Sequence, residues 1–137
     1  MRMFIDSSSL AKRHIREPGS DELDAVLAEA TEVAISLIAP AEIVSALSRH
    51  RRETRLSASQ YDQTKKALLG DVADMAICDL TVSAIERAIA LLETHPLRTL
   101  DALHLACALE WEAEVFVSSD RRQLEAASKS GLRIRAV

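Results

Sequence analysis

The sequence predicts a three-layer α/β domain in which a mostly parallel five-stranded sheet is flanked by helices. Short apolar runs alternate with stretches of helical periodicity along the whole chain, and the connections between runs are long enough for crossovers. A chain of 137 residues that is 48% apolar suits one well-filled core, so residues 1–137 read as a single domain.

Met3-Phe4-Ile5 is a short strand that ends in Asp6 and three serines, after which Leu10 to Ile15 takes helical character. Pro18-Gly19 breaks that segment. Ser20 is expected to cap a second helix with Leu23, Val26, Leu27 and Ala30 on one face. Val33 to Leu37 reads as a buried strand, and Pro40 suits the first turn of a helix carrying Ile43, Val44 and Leu47. Ser57 or Ser59 caps the next helix, through Tyr61, Lys65, Leu68 and Leu69 towards Val72. Ala76 to Leu80 is the third strand candidate. Val82 to Thr94 is a long helix that His95-Pro96 ends, because the residue before a proline is pushed out of the helical conformation. Thr99 is expected to cap a helix from Leu100 to Trp111 that is apolar nearly all round, which implies burial. Val115 to Ser118 is a strand, Arg121 to Ser130 a helix closed by Gly131, and Arg133 to Val137 a last edge strand.

Composition excludes several functions. The three glycines are scattered, so neither a Walker loop nor a dinucleotide fingerprint is present. A net charge of −4 disfavours general adhesion to nucleic acid, and four aromatics are too few for a base-stacking platform. Cys78 and Cys107 lie in apolar surroundings without CxxC spacing, which predicts buried free thiols. No apolar run reaches the roughly 18 residues of a membrane span, and Asp6 interrupts the N-terminus before a signal-peptide core could form. The expectation is a cytoplasmic protein with no membrane partner.

Four acids stand at corresponding places in the pattern. Asp6 follows the first strand and Asp120 the fourth, while Glu42 and Asp101 lie in the first turns of helices whose N-termini belong at the same sheet edge. Ligands of parallel sheets bind outside the carboxyl ends of the strands. Each acid alone has a simpler explanation, since carboxylates at helix starts gain about 0.3–1 kcal/mol from the macrodipole and Asp caps helices. Their conjunction favours a shared site. Two like charges about 4 Å apart cost on the order of 4 kcal/mol at an effective dielectric near 20, so a counter-charge is needed. Oxygen ligands without paired His or Cys select Mg²⁺ or Mn²⁺ over zinc, and such an ion suits phosphodiester hydrolysis.

The stretches Phe4 to Arg13, Ala41-Glu42-Ile43, Leu97 to Ala106 and Val117-Ser118-Ser119-Asp120 resemble the motifs of PIN-domain ribonucleases, specifically VapC-type toxins of toxin–antitoxin pairs. The Leu-Arg-x-x-Asp-Ala-Leu-His-Leu-Ala segment is the most specific of them. The resemblance implies that Asp6 and Asp101 are the principal metal ligands, that Glu42 and Asp120 complete an acidic catalytic site, and that Ser8 supports the water at the ion. Ser118 stands where family members often carry Thr. The resemblance also implies an RNA substrate, a homodimer and a small VapB-like antitoxin. Apolar helices such as Ala84 to Leu92 and Ile43 to Leu47 suggest surface for association. Lys12, Arg13 and Arg121 lie close in sequence to Asp6 and Asp120, where they could position an RNA backbone. His104, three residues after Asp101, is expected to be a satisfied core histidine or to back the acids, with no catalytic role. Two other functions fit parts of the pattern. A Mg²⁺-binding receiver-like signalling module would need paired acids after the first strand and a Lys near the last, and a housekeeping PIN or flap-type nuclease is chemically open.

Overall fold

A computed structural model describes residues 1–137. The strands are β1 (Arg2–Ile5), β2 (Glu32–Ser36), β3 (Ala76–Cys78), β4 (Val115–Ser118) and β5 (Arg133–Ala136). The helices are α1 (Ser7–Ala11), α2 (Ser20–Leu27), α3 (Ala39–Arg52), α4 (Ala58–Ala73), α5 (Val82–Thr94), α6 (Thr99–Glu110) and α7 (Arg121–Lys129). All strand pairs are parallel, in the order β3-β2-β1-β4-β5. The chain therefore builds the sheet outward from β1 in one direction through β2 and β3, then crosses to the other side of β1 for β4 and β5. The reversal makes the carboxyl ends of β1 and β4 the topological switch point, where a crevice opens in such sheets.

Alternation along the strands divides the core. Met3, Ile5, Ile35, Val115 and Val117 face a layer that includes Leu10, Leu23, Val26, Ile43, Leu47 and Leu68. Phe4, Ala34 and Phe116 face the opposite layer, with Ala88, Leu91, Leu105, Ala106, Ala126 and Ala127. Phe4 and Phe116 stack with ring centroids 5.9 Å apart and planes 7° from parallel, in line with their register in the ladder. Such a pair adds about 0.5–1.5 kcal/mol beyond its burial.

Several element starts differ from the sequence reading, each for a local reason. The first helix begins at Ser7, because Asp6 caps it by accepting the Ser9 N–H at 3.0 Å, and Lys12 to Ile15 continue only as turns. Gly19, with φ of 96°, caps α2 in place of Ser20, whose hydroxyl instead accepts the Glu17 N–H and lies 2.8 Å from both the Lys12 and the Glu17 carbonyl oxygens, to one of which it donates. A side chain at Gly19 would collide with Lys12 Nζ and the Val137 carbonyl carbon, each 2.8 Å from an added Cβ. Thr99 is the first helical residue of α6 and Arg98 its cap. Of the two serines offered for α4, Ser57 caps it and completes a capping box with Gln60. β3 stops at Cys78, two residues short of the expected Leu80.

Ile43 and Leu47 are committed to the core and supply no surface for association. The exposed apolar residues cluster on α5, where Val82, Ile85, Ile89 and Leu92 form a stripe beside the buried Ala84, Ala88 and Leu91. Both cysteines are free, Cys107 buried and Cys78 half-buried, and burial pushes both thiols up, that of Cys78 to about 11. No helix is long and apolar enough to cross a membrane.

Candidate active site

The candidate site begins with Ile5 and Val117, which are partners in the β1–β4 ladder. One residue further along each strand stand Asp6 and Ser118, so the ladder delivers both to the switch point. Asp6 is 1% exposed. Its Oδ1 accepts the Ser9 N–H, while Oδ2 accepts the Ser118 hydroxyl at 2.8 Å, the Gln123 Nε2 at 3.0 Å and the Ser8 hydroxyl at 3.3 Å. A buried carboxylate in this setting is held by hydrogen bonds without any neighbouring cation.

Asp101 enters from the third position of α6 and is 8% exposed. Its Oδ2 accepts the Arg98 N–H at 3.3 Å and lies 3.2 Å from the Arg98 Nε, so it does serve the helix start. Its Oδ1 accepts the same Gln123 Nε2 that binds Asp6, at 3.1 Å. One amide group thus spans two carboxylates that are 95 residues apart in the chain. Capping and convergence coexist here.

Glu42, in the first turn of α3, reaches the site from the other layer. Its Oε1 accepts the Ser7 hydroxyl at 2.9 Å and lies 2.6 Å from His104 Nε2. A carboxylate only accepts, so that imidazole nitrogen carries the proton, and His104 Nδ1 is left buried without a partner. Burial raises the Glu42 carboxyl, but the hydrogen bonds from His104 and Ser7 and the charge of His104 outweigh it and hold the group below the usual carboxylate range. Glu42 and Asp101 line one surface pocket with Arg98, Thr99 and Leu100. Glu42 also lines a second pocket of about 150 Å³ with Ser7, Ser8, Ala11, Ile43 and Ala46.

Asp120 stands one step further out. Its carboxylate caps α7 by accepting the Arg122 and Gln123 N–H groups, and its own N–H donates to Ser118 Oγ at 2.9 Å. Ser118 therefore links the Asp120 backbone to the Asp6 carboxylate. No three acidic, His or Cys side chains close on one point at metal-ligating distance. Asp6 and Asp101 meet through Gln123, Glu42 joins through Ser7 and His104, and Asp120 joins through Ser118.

The basic residues separate. Arg121 is exposed in the first turn of α7 and makes no ion pair, whereas Lys12 Nζ donates to the Val137 carbonyl at 3.0 Å. Arg13 pairs with Asp24 and Asp71 and lines a pocket with Thr31, Glu32 and Val33 at the amino end of β2, so the structure does not bring it to the acids. Two contributors escaped sequence reasoning. Gln123 carried a signal, since Asp120-x-x-Gln123 has capping-box spacing, but nothing in the sequence says that its amide turns inward. Arg98 sits in the Leu-Arg-x-x-Asp segment at the spacing that lets it reach Asp101.

The family model for the PIN domain matches residues 3–129. A comparison with curated protein sequences finds no significant match. Among solved structures, DNA-bound VapBC from Salmonella typhimurium aligns with a TM-score of 0.72 at 14% identity, over 99% of this chain and 98% of that one. VapBC2 from Rickettsia felis, bound to a fragment of promoter DNA, gives 0.71 at 15% identity over 100% and 99%. VapC20 from Mycobacterium tuberculosis, described as a sarcin-ricin loop cleaving toxin, gives 0.70 at 17% identity over 95% of each chain. These identities are low enough to speak for the fold alone, and the fold agrees over nearly the whole length. With the family pattern running from Met3 to Lys129 across the same switch-point carboxylates, the chain belongs to the PIN-domain family.

Proposed function

We propose that residues 1–137 form one metal-dependent endoribonuclease domain that hydrolyses RNA phosphodiester bonds, the toxin of a type II toxin–antitoxin pair acting in the cytoplasm. The observation that carries this reading is the convergence of Asp6 and Asp101, both buried, on one amide at the switch point of a parallel sheet. The donor set fits a hard divalent cation, Mg²⁺ or Mn²⁺. It offers carboxylate oxygens without thiolate, and the buried Gln123 Oε1 beside them has no partner. Asp6 and Asp101 would hold the ion, with Glu42 and Asp120 flanking it. The chemistry such an ion would supply there is a lowered pKa for a water and a counter-charge for the phosphoryl oxygens.

The chain's own residues supply the rest. Glu42 is kept ionised by His104 and Ser7, and its second oxygen makes no hydrogen bond in the structure, so it is the group available to accept a proton from the attacking water. Ser118 and Ser9 fix the Asp6 carboxylate, and Ser8 adds a longer contact on the solvent side. Arg121 and Arg98 are exposed guanidinium groups flanking the acids, suited to phosphate oxygens. Lys12 would join them by releasing Val137, while Arg13 is engaged by Asp24 and Asp71. The partners proposed with the RNA are a small VapB-like antitoxin, by analogy with the VapBC assemblies whose fold it shares, and a second copy of the chain, for which the exposed apolar stripe on α5 is suitable surface.

Mapping RNA 5′ ends after induced expression, and again with purified protein and Mg²⁺ or Mn²⁺, tests the activity. Cleavage at defined positions is expected, with loss of at least about 10²-fold in Asp101→Asn. The metal-free variant should keep its stability within about 1 kcal/mol, because relief of carboxylate repulsion offsets the weakened hydrogen bonds at the helix start. Unchanged cleavage by that variant would overturn the assignment.

A further inference from the structure

Gln123 is the third residue of α7 after its cap, where a Gln ordinarily reaches back to the backbone N–H of the cap residue. Here that N–H belongs to Asp120 and is taken by Ser118 Oγ at 2.9 Å. The amide is thereby freed, and it is buried, 3% exposed, in the space between Asp6 and Asp101. Its Nε2 donates to Asp6 Oδ2 and to Asp101 Oδ1, one proton to each. Its Oε1 has no partner. The orientation of this amide is set wholly by the two carboxylates, at the expense of its own oxygen.

The acceptor count at Asp6 sharpens the point. An ionised carboxylate offers about two lone-pair sites on each oxygen; Asp6 Oδ2 receives three donors, from Ser8, Ser118 and Gln123, and Oδ1 receives the Ser9 N–H. A cation can bind at Oδ2 only by displacing one of those three. The Ser9 N–H is fixed by the cap of α1 and the Ser118 hydroxyl by the strand end, while Ser8 contributes the longest contact. Gln123 alone is shared with Asp101, and the hydrogens of an amide NH₂ pointed at two carboxylates repel a cation brought to the same oxygens.

We propose that the Gln123 carboxamide is a stand-in for the cation: it bridges Asp6 and Asp101 in the metal-free protein, withdraws when the ion binds, and so lowers the affinity of the site. The inference rests on the reading of this pocket as a cation site. It explains how Asp6, which has no cationic neighbour, coexists with Asp101, whose one cationic partner is the exposed Arg98, and it gives the protein a threshold of free cation for loading.

The test uses the full chain and Mn²⁺ itself, followed by the electron paramagnetic resonance signal of the free ion, with Mg²⁺ as competitor. Gln123→Leu and the unbranched Gln123→Met remove the donor while keeping volume, and two variants guard against a packing defect in one. Both should bind Mn²⁺ about tenfold more tightly than wild type. Both should also melt lower without metal and gain more from added Mn²⁺. In ¹⁵N-labelled wild type, the Gln123 side-chain NH₂ resonances, identified by their loss in the variants, should move and lose exchange protection as Mg²⁺ saturates the site. Variants that bind Mn²⁺ no better than wild type, or an NH₂ pair that Mg²⁺ leaves in place, would overturn the stand-in role while the cation site survives. A wild-type protein whose Mn²⁺ binding is absent or indifferent to Asp101→Asn would remove both readings together.

Discussion

His104 Nε2 lies 2.6 Å from Glu42 Oε1, a contact that spans 62 residues and ties the first turn of α3 to the middle of α6. The imidazole is buried and has no other carboxylate partner. Its effect on catalysis must therefore pass through the orientation and ionisation of Glu42. His104→Leu is expected to lower RNA cleavage about 10- to 100-fold through kcat, with KM within about twofold. His104→Gln, which can present an amide donor near the Nε2 position, should recover much of the loss. A pure packing role predicts no such rescue, so steady-state kinetics on the two variants decides.

Ser118 is fully buried and its hydroxyl does two jobs, donating to Asp6 and accepting from the Asp120 N–H. Ser118→Ala leaves that N–H and one Asp6 oxygen short of a partner, and should destabilise the protein by about 1–3 kcal/mol in urea unfolding. Ser118→Thr keeps the hydroxyl and should cost less than the alanine variant, with cleavage retained. Equal stability of wild type and Ser118→Ala would show that the hydroxyl is dispensable.

His14 links acidity to stability at a distance from the acids. Its side chain is 6% exposed and lies 3.0 Å from Asp71 Oδ2. Burial is the largest influence and, with the Arg13 charge, outweighs Asp71 and Asp24, so the ring titrates below its ordinary 6.5. The unfolded chain takes up the proton first as pH falls. The neutral buried ring thus contributes its full stability above pH 6.5, and this is lost as pH falls from there through the lower folded value. His14→Gln should flatten the decline of the urea midpoint between pH 7.5 and pH 5.5. An unchanged slope would exclude His14 as its source.

Val82, Ile85, Ile89 and Leu92 recur along α5 at helical spacing and remain exposed, Val82 at 76% and Ile89 at 50%. Their burial between two copies is the proposed basis of the homodimer. Wild type should scatter light as nearly twice its 15.0 kDa chain mass. Ile85→Glu with Ile89→Glu should scatter as the single chain while its circular dichroism is unchanged, because neither residue belongs to the core. A double variant that stays dimeric would move the interface elsewhere.

Period and punctuation were sufficient for the succession of strands and helices. Alternating apolar runs placed five strands between helices, and Pro96 stopped α5 at His95. Asp6, Glu42, Asp101 and Asp120 could be placed at one sheet edge from sequence, because parallel strands and their crossover helices fix which end each residue occupies. Local geometry had to be seen. Whether Ser20 or Gly19 caps α2 depends on a left-handed backbone at Gly19, where Lys12 and Val137 also leave no room for a side chain. Ile43 and Leu47 looked like surface for a partner until α3 packed them inward. The strand order that puts β4 beside β1, the turn of Gln123 into the space between Asp6 and Asp101, and the pairing of His104 with Glu42 are contacts between residues far apart in the chain. Sequence spacing constrains neighbours within a turn or a strand, whereas such contacts are selected by packing of the whole core, so only the tertiary structure could decide them.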